Sequence, residues 1–579
     1  MSRNFFIILS ITISFFIFFS CGNPNPLVEN YDYICSAKRP NTEIYKIIDL
    51  PKNDNNRNNV IDLRIDDLYK DDIYFIVTTV SSNSFVSNSS NGTKNVEVLA
   101  NKVENTTKRG KESISKFNER PFAYIDSKTN VKISNNRSNN FSILKKSVNA
   151  GDTRNFYDDE GNTVYTTCRL AKTVDGKTLN IWVQNKYWST TPDVSNPVKN
   201  LINQDMIDTL ADKFLKDDKA DIYHWVTNIF GYEWGVHNDS NLIPASELSN
   251  INILLYDIDN DEDKSTGKSD DGVLGFFHPR DNFKKHYYSE SNEMLMFYID
   301  APTFSYKEKA SWNINDTYPS EIVSTLVHEF QHMIHFYQKC VKHGTTYNSE
   351  TWLNEMCSLV AEDFLADKLG VNGPRGVSGN NPSSKPPNNY DGRLPMFNVY
   401  NGEDITKWLE DDDVLKSYST SYAFGAYIAR NFGGVELFKQ IVSVNTDTNY
   451  KAVINSINSL KGESSETLLS LLQKWGAAVV LSDLITTDID TGYRYNNGSS
   501  WYSSTLNGYT YNLGSINLYN YKYYGKTGPY FQNAIDISSS TVTTNNNSNF
   551  YIKVGEKSGT FYQRLRLLPN QYVTILLKR

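Results

Sequence analysis

The amino-acid sequence predicts a multidomain α+β protein in which a mainly helical domain with a small sheet lies between two β-rich modules. Its 579 residues are too many for one compact core. Stretches rich in β-branched and aromatic residues, such as 73–77 and 179–183, predict strands in the first third. Helical periodicity begins at residues 205–215, and Tyr-rich strand patterns return after residue 492.

The elements in between define the domain organisation. Residues 251–256 and 294–299 are apolar and predict the strands of the small sheet, whereas 418–432 and 466–484 predict helices. A Ser-, Thr- and Pro-rich stretch at 189–197 has the composition of a linker. The predicted division is a signal peptide at 1–20, an N-terminal β-rich region with a polar loop at 21–190, a central domain at 191–490 and a C-terminal β module at 491–579.

The N-terminus predicts export. After a short positive start, residues 5–19 form an apolar run of 15 residues, which is too short to span a membrane but typical of a signal peptide. The run ends in F-F-S-C-G, which resembles a bacterial lipobox and predicts lipidation of Cys21. We therefore expect an exported lipoprotein, anchored at the outer membrane or the cell surface. The alternative is an ordinary signal peptide followed by an incidental cysteine.

Charge and cysteine content exclude some classes of protein. A net charge of −8 gives no electrostatic reason to expect nucleic acid as a partner. Beyond Cys21, an exported chain can pair its cysteines, and the four that remain allow three connectivities. Because no C-x-x-C spacing occurs, a thiolate zinc site is not supported. The four cysteines are Cys35, Cys168, Cys340 and Cys357.

An acidic loop at residues 257–263 has alternating aspartates and raises the question of a calcium ion. The EF-hand pattern fails, because Glu262 stands where the turn glycine belongs and Lys268 where the bidentate glutamate belongs. A solvated acidic turn is the favoured interpretation. Ca²⁺ stays a second candidate ion without a full motif.

The sequence V-H-E-F-Q-H-M-I at residues 327–334 contains H-E-x-x-H within a helical stretch, which we expect to begin near residues 319–321 with Ser320 as N-cap. Residues four apart lie on one helix face, so His328 and His332 can bind one ion. Glu329 lies beside that face, within reach of a water on the ion. The alternative is a chance match with two histidines that satisfy local hydrogen bonds.

A third ligand is available on a second predicted helix, which runs from residue 351 to about 370. Glu355 lies 23 residues after His332, enough for a turn and an antiparallel return. Two histidines and one glutamate bind one Zn²⁺ and leave a fourth position for water. The rival pattern H-E-x-x-H-x-x-G-x-x-H fails, because His335 and Gln338 stand at its glycine and last histidine.

H-E-F-Q-H-M-I followed by W-L-N-E-x-x-S-x-x-x-E resembles the hyicolysin family of bacterial zinc metallopeptidases and, more distantly, aminopeptidase N and thermolysin-type peptidases. The likeness covers residues 254–475 and implies a zincin-like catalytic domain at 191–490. It implies that Glu329 is the general base and that the zinc ligands are His328, His332 and Glu355. After Glu355 the chain has Met356 and Cys357, where relatives carry Gly and another small or apolar residue.

Two further residues follow from the same resemblance. Glu362 returns to the face of Glu355 and matches an acidic position that orients a ligand histidine, although a surface carboxylate is an alternative. Tyr422 stands in a Y-x-x-G-A stretch like the one whose tyrosine donates to the oxyanion in the aminopeptidase group. Core packing is the alternative for Tyr422.

The resulting expectation is a zinc-dependent endopeptidase that acts on proteins or peptides. An extended substrate is expected to pair with residues 294–299 as an edge strand. An aminopeptidase is less favoured, because no Gly-x-Met-Glu-Asn segment that captures a free amine occurs between residues 254 and 328. A surface binding or adhesin lipoprotein with an idle metal site is also less favoured, because the base and all three ligands are intact.

Overall fold

The computed structural model describes residues 32–38, 43–50, 59–80, 147–190, 198–269, 272–344, 347–383, 385–388, 391–410, 413–463, 465–485, 488–533 and 542–579. The signal peptide expected at residues 1–20 and the lipidation expected at Cys21 lie outside these ranges. The chain divides into two compact units. The terminal unit consists of Met1–Phe75, Gln532–Thr543 and Ile552–Arg579, and the larger unit of Ile76–Phe531 and Thr544–Tyr551.

The sheet of the terminal unit combines strands from both ends of the chain. Its order is β14-β15-β3-β16-β2, and β1 pairs with β3 in parallel. In the first part of β3 alternate residues such as Ile61, Leu63 and Ile65 are buried, as is usual for a sheet with one covered face, whereas residues 73–79 are all buried. The strands are β1 (Asp32–Lys38), β2 (Tyr45–Asp49), β3 (Asn59–Thr79), β14 (Gln532–Asn533), β15 (Ser548–Leu567) and β16 (Gln571–Lys578).

The larger unit contains a second six-stranded sheet, of order β4-β5-β6-β7-β9-β8. Strands β6, β7 and β9 are parallel to one another, and all of β9 and all but the first residue of β7 are buried. Buried parallel strands read as continuous apolar runs, which is why residues 251–256 and 294–299 could be recognised. The strands are β4 (Thr153–Tyr157), β5 (Thr163–Val174), β6 (Lys177–Gln184), β7 (Asn250–Tyr256), β8 (Gly275–Phe276) and β9 (Met296–Asp300).

The sheet differs from the sequence prediction in its edge strand and in its extent along the chain. Strand β9 pairs with β7 on one side and, at Tyr298 and Ile299, with β8 on the other. The expectation that residues 294–299 form the edge strand is therefore wrong, because the free edge at this end belongs to the short antiparallel strand β8. The sheet also joins β4 to β6 with β7 to β9, so the predicted boundary at residue 190 does not coincide with the limits of the two compact units.

Helices make up most of the remainder of the larger unit, so the fold contains the helices and sheets that the α+β class requires. Described residues also form two small hairpins, β10 (Tyr502–Leu506) with β11 (Tyr509–Leu513) and β12 (Lys522–Tyr523) with β13 (Lys526–Thr527). The helices are α1 (Gln204–Phe214), α2 (Ile222–Phe230), α3 (Ala301–Ser305), α4 (Thr317–Phe336), α5 (Thr351–Leu369), α6 (Leu394–Val399), α7 (Val414–Asn431), α8 (Val435–Lys439), α9 (Tyr450–Lys461) and α10 (Leu468–Val480).

The helix ends show where local sequence rules hold. Helix α5 ends at Leu369, and Gly370 adopts a left-handed conformation with φ of 72°, as a C-terminal glycine should. Helix α4 begins one turn earlier than expected, at Thr317 with Asp316 as N-cap. The expected N-cap Ser320 lies inside the first turn, where its Oγ donates to the Thr317 carbonyl at 2.8 Å. Beyond Phe336, α4 continues as a π-helical turn.

Two general expectations can also be compared with the described part of the chain. Three of the four cysteines beyond Cys21 form no disulfide and are buried, namely Cys168, Cys340 and Cys357. Within the described ranges, no helix combines the length and the apolar character needed to cross a membrane.

Candidate metal centre

Helices α4 and α5 bring the three expected ligands together. His328 and His332 lie one turn apart on α4, with their rings 4.7 Å apart, and Glu355 faces them from α5. Glu355 Oε2 lies 3.1 Å from His328 Nε2 and 3.5 Å from His332 Nε2. In a tetrahedral zinc site with bonds of about 2.0–2.1 Å, ligand atoms are about 3.3 Å apart. Both distances from Glu355 are close to this value, and all three donor atoms lie within 4.8 Å of one another, close enough to share one ion.

The cluster is buried, and the charges of its members shift one another's pKa values. His328 is 1% exposed and Glu355 is 9% exposed. Burial lowers the pKa of His328, but hydrogen bonds with Glu355 and Glu362 outweigh burial and raise it to about 9. Burial raises the pKa of Glu355, but His332 and His328 outweigh burial and lower it to about 2. A divalent cation would replace the proton on the imidazole, so metal affinity should depend on pH.

The first ligand histidine is held by a carboxylate. His328 Nδ1 lies 2.8 Å from Glu362 Oε1, and the other Glu362 oxygen accepts a hydrogen bond from Ser324. Glu362 is 1% exposed, so the alternative of a surface carboxylate is wrong. A carboxylate on Nδ1 keeps the proton there and leaves Nε2 free to bind a metal.

The second ligand histidine is held by neutral groups. His332 Nδ1 lies 3.1 Å from Asn354 Oδ1 and 3.1 Å from Ser358 Oγ. Both residues stand in the W-L-N-E-x-x-S motif, but sequence reasoning gave them no role. Ser324 was also missed, and its only sequence signal is its position one helical turn before His328.

Glu329 occupies the position expected of the base. It follows His328 on α4, is 2% exposed, and its charge is close enough to contribute to the raised pKa of His328. The next residue, Phe330, packs on Phe214 and Tyr223, with ring centroids 5.2 and 5.6 Å apart. These aromatic contacts hold the turn of α4 that carries the H-E-x-x-H motif in the core.

Tyr422 lies in a different environment from the ligands. Its hydroxyl donates to Asp363 Oδ2 at 3.0 Å, and Arg430 forms an ion pair with the same oxygen at 2.9 Å. Tyr422 is fully buried, and this cluster joins α7 to α5. The structure thus brings together Glu329, Glu362 and the three ligands, whereas the hydroxyl of Tyr422 bonds to Asp363. Its oxyanion role stays a prediction.

His335, at the position where the rival motif requires glycine, is packed in the core. Its Nδ1 lies 3.3 Å from Gln331 Nε2, and its Nε2 lies 2.8 Å from Ser349 Oγ. Burial lowers the pKa of His335 well below its usual value. The imidazole is therefore neutral and bonded at both nitrogens.

The first residue of the acidic loop is buried, unlike that of a solvated turn. Asp257 is 3% exposed and its Oδ2 accepts hydrogen bonds from Lys186 at 2.9 Å and Tyr187 at 3.0 Å, so the favoured interpretation is wrong at this residue. Carboxylate oxygens of Asp257, Asp261 and Asp300 lie within 4.8 Å of one another. Sequence reasoning did not connect Asp300, at the end of β9, with the loop. Ca²⁺ stays a second candidate ion without a full motif.

Comparisons with known proteins cover the region that holds these residues. A family model described as Peptidase M30 matches residues 159–502, which is more than half of the chain and includes α4 and α5. The neutral metalloprotease ShpI of Staphylococcus hyicus is 27% identical over 289 residues, which are 49% of this chain and 52% of that protein. The chain thus spans about half the length of the curated relative that it matches.

Proposed function

Because the chain belongs to the peptidase M30 family and its apolar N-terminal run ends at the lipobox-like Cys21, we propose that it is an exported, lipid-anchored, zinc-dependent endopeptidase. This membership agrees with the resemblance to hyicolysin-type peptidases drawn from the motifs. The observation that carries the proposal is the buried triad of His328, His332 and Glu355, whose donor atoms lie within 4.8 Å of one another and can converge on one ion. Its two imidazoles and one carboxylate are the donor set of thermolysin-type zinc sites.

Zinc bound by the triad would acidify a water and polarise the scissile carbonyl. The remaining steps belong to the chain's own residues. Glu329 takes a proton from the attacking water and returns it to the leaving amine. Glu362 keeps the His328 proton on Nδ1, with Ser324 bonded to its other oxygen. Tyr422 remains the proposed oxyanion donor, which requires its hydroxyl to leave Asp363.

An extended substrate segment is proposed to pair with β8 rather than β9. Among the described strands, β8 is the edge of the sheet on the side of β9. It lies against α4, since a Cβ on Gly275 would be 3.0 Å from Thr325 Cγ2, one turn before the ligand histidine His328. Main-chain pairing at a sheet edge binds extended peptides without demanding a particular side chain. Such pairing needs no free N-terminus, which suits an endopeptidase.

The decisive experiment measures zinc content and casein cleavage for the purified mature chain and its Glu329→Gln variant. Glu321→Gln on the same helix serves as the matched control. We expect about one zinc per chain in all three, the count of a single three-ligand site, with cleavage lost only in Glu329→Gln. Zinc without cleavage in the wild type would contradict the peptidase assignment and favour a binding lipoprotein with an idle site. Absence of zinc would remove the basis of the proposal.

Peptides with blocked and free N-termini separate endopeptidase from aminopeptidase. An endopeptidase should cut both kinds within the sequence, whereas an aminopeptidase should leave the blocked peptide intact. The anchor is tested separately by Cys21→Ala. This change should move the protein from the membrane fraction to the soluble fraction of the producing cells and abolish labelling by radioactive palmitate, without changing cleavage by the purified enzyme.

A further inference from the structure

The second ligand histidine begins a chain of hydrogen bonds that leads away from the triad. His332 Nδ1 lies 3.1 Å from Ser358 Oγ, which donates to Gln331 Oε1 at 2.5 Å. Gln331 Nε2 lies 3.3 Å from His335 Nδ1, and His335 Nε2 lies 2.8 Å from Ser349 Oγ. Each of the four residues beyond His332 is at most 6% exposed. These four residues, which we call the polar relay, are shielded from solvent over their whole length.

The directions of these hydrogen bonds determine which nitrogen of His332 carries its proton. A serine hydroxyl has one proton, and Ser358 gives it to Gln331 in the shorter of its two bonds. Ser358 Oγ is therefore an acceptor toward His332, as is Asn354 Oδ1 on the same nitrogen. His332 must carry its proton on Nδ1, so that Nε2 presents its lone pair toward Glu355.

The far end of the relay supports the same directions. Because the amide oxygen of Gln331 accepts from Ser358, its amide nitrogen faces His335 and must donate to Nδ1. His335 then carries its proton on Nε2 and donates to Ser349. Each of the four hydrogen bonds then joins one donor to one acceptor, so the orientation of Gln331 is determined at both ends.

We propose that Gln331 and Ser358 are positioning residues for the metal, which hold His332 in the tautomer and orientation that a metal ligand needs. This inference rests on the proposed function, because it concerns the same ion. It gives a role to one of the two unspecified residues of the H-E-x-x-H motif. The two ligand histidines are then supported differently, His328 by the carboxylate of Glu362 and His332 by neutral groups alone.

Zinc affinity of the folded, metal-free protein tests this proposal, measured by competition with a chromophoric chelator. Gln331→Met keeps the side-chain volume but removes both relay bonds, and Gln331→Glu keeps an acceptor for Ser358. Ser358→Ala removes the bonding hydroxyl. Ser456→Ala is the matched control, because Ser456 is a buried serine whose hydroxyl has no hydrogen-bond partner among the described residues.

We expect Gln331→Met and Ser358→Ala each to weaken zinc binding about tenfold, the lower end of the usual effect of such supporting groups. Gln331→Glu and Ser456→Ala should stay close to the wild type. The double variant of Gln331→Met and Ser358→Ala should lose little more than either single variant, because both changes break the same relay. The visible spectrum of the Co²⁺-loaded protein should change in the two weakened variants and not in the control.

Several outcomes would overturn the inference. Wild-type affinity in both weakened variants would do so, as would a Gln331→Glu variant no better than Gln331→Met. The inference would also fail if general destabilisation, measured as a lower urea midpoint of the metal-free protein, accounted for the whole loss of zinc affinity. If Ser358→Ala fails to fold, comparing the zinc affinities of Gln331→Met and Gln331→Glu still tests the inference. A wild type that binds no zinc refutes the proposed function itself, whereas zinc binding and cleavage with unaffected variants refute only the relay.

Discussion

Replacing Gly425 by alanine should destabilise the protein, although alanine is the better helix former. Gly425 lies in α7, where that helix packs on α5. A Cβ at this position would lie 2.6 Å from Val360 Cγ2 and 2.7 Å from Met356 Cγ. Carbon atoms in good contact are about 3.5–4.0 Å apart, so both side chains would have to move by roughly 1 Å.

The expected magnitude is the balance of two effects. Overpacking of a well-filled core costs about 1–3 kcal/mol. Alanine recovers about 1 kcal/mol over glycine inside a helix. The net loss in the free energy of unfolding is therefore up to about 2 kcal/mol. Because Met356 follows the ligand Glu355 on α5, a displacement of this helix should also weaken zinc binding.

A double-variant cycle with Met356→Ala separates this clash from other effects. Met356→Ala alone should cost about 2–5 kcal/mol because it leaves a cavity. Adding Gly425→Ala to it should cost less than in the wild type, since the clash with Met356 is gone and only the one with Val360 remains. Urea unfolding followed by tryptophan fluorescence measures all four proteins. A Gly425→Ala variant that is about 1 kcal/mol more stable than the wild type, or strictly additive effects, would refute the packing argument.

Three further outcomes follow from described contacts. Glu362→Gln should weaken zinc binding by roughly ten- to a hundredfold in chelator competition, because an amide supports the His328 proton less strongly than a carboxylate; unchanged affinity would contradict this role. Burial raises the pKa of Asp300 well above its usual value, with Asp261 and Asp257 adding to the effect. The stability contributed by this group is therefore present below about pH 3.8 and is lost as pH rises through the folded pKa. In EDTA, Asp300→Asn should unfold at a higher urea concentration than the wild type at pH 8, with a smaller difference at pH 4, and the opposite trend would refute the assignment. Burial also raises the thiol pKa to about 11 at Cys168 and to about 12 at Cys340 and Cys357. Iodoacetamide should therefore alkylate these three cysteines only after unfolding, which peptide mapping would show.

The ligands could be predicted because their chemistry is encoded in local spacing. Residues four apart on a helix must share a face, which places His328 and His332 together whatever surrounds them. Glu355 needed only the inference that a second helix returns beside the first. Ser324 and Asp300 could not be found this way, because their partners lie 38 and about 40 positions away, on other elements. Sheet pairing has the same difficulty, since nothing in residues 294–299 reveals that β8 pairs alongside them.

The departure from the family pattern after Glu355 has a tertiary explanation. Met356 stands where the resemblance implies glycine, and it fits because Gly425 of α7 has no side chain where the two helices meet. The motif around Met356 and the Y-x-x-G-A stretch are 69 residues apart in the sequence. Their complementarity therefore becomes visible only when the two helices are seen to pack.

The pairing of β2 with β16 constrains the order in which the chain can assemble. Thr574 of β16 donates to Asp49 of β2 across 525 positions, and five consecutive residue pairs join the two strands. During vectorial synthesis, an early strand must therefore wait for most of the polypeptide before its partner emerges. Until then its unpaired main-chain groups can form non-native strand pairs, as happens when long-range pairing is slow. A chaperone that holds residues 45–49 in the meantime would raise the yield of folded protein, and a ribosome stalled before residue 571 would release a chain whose terminal sheet lacks the strand between β3 and β2.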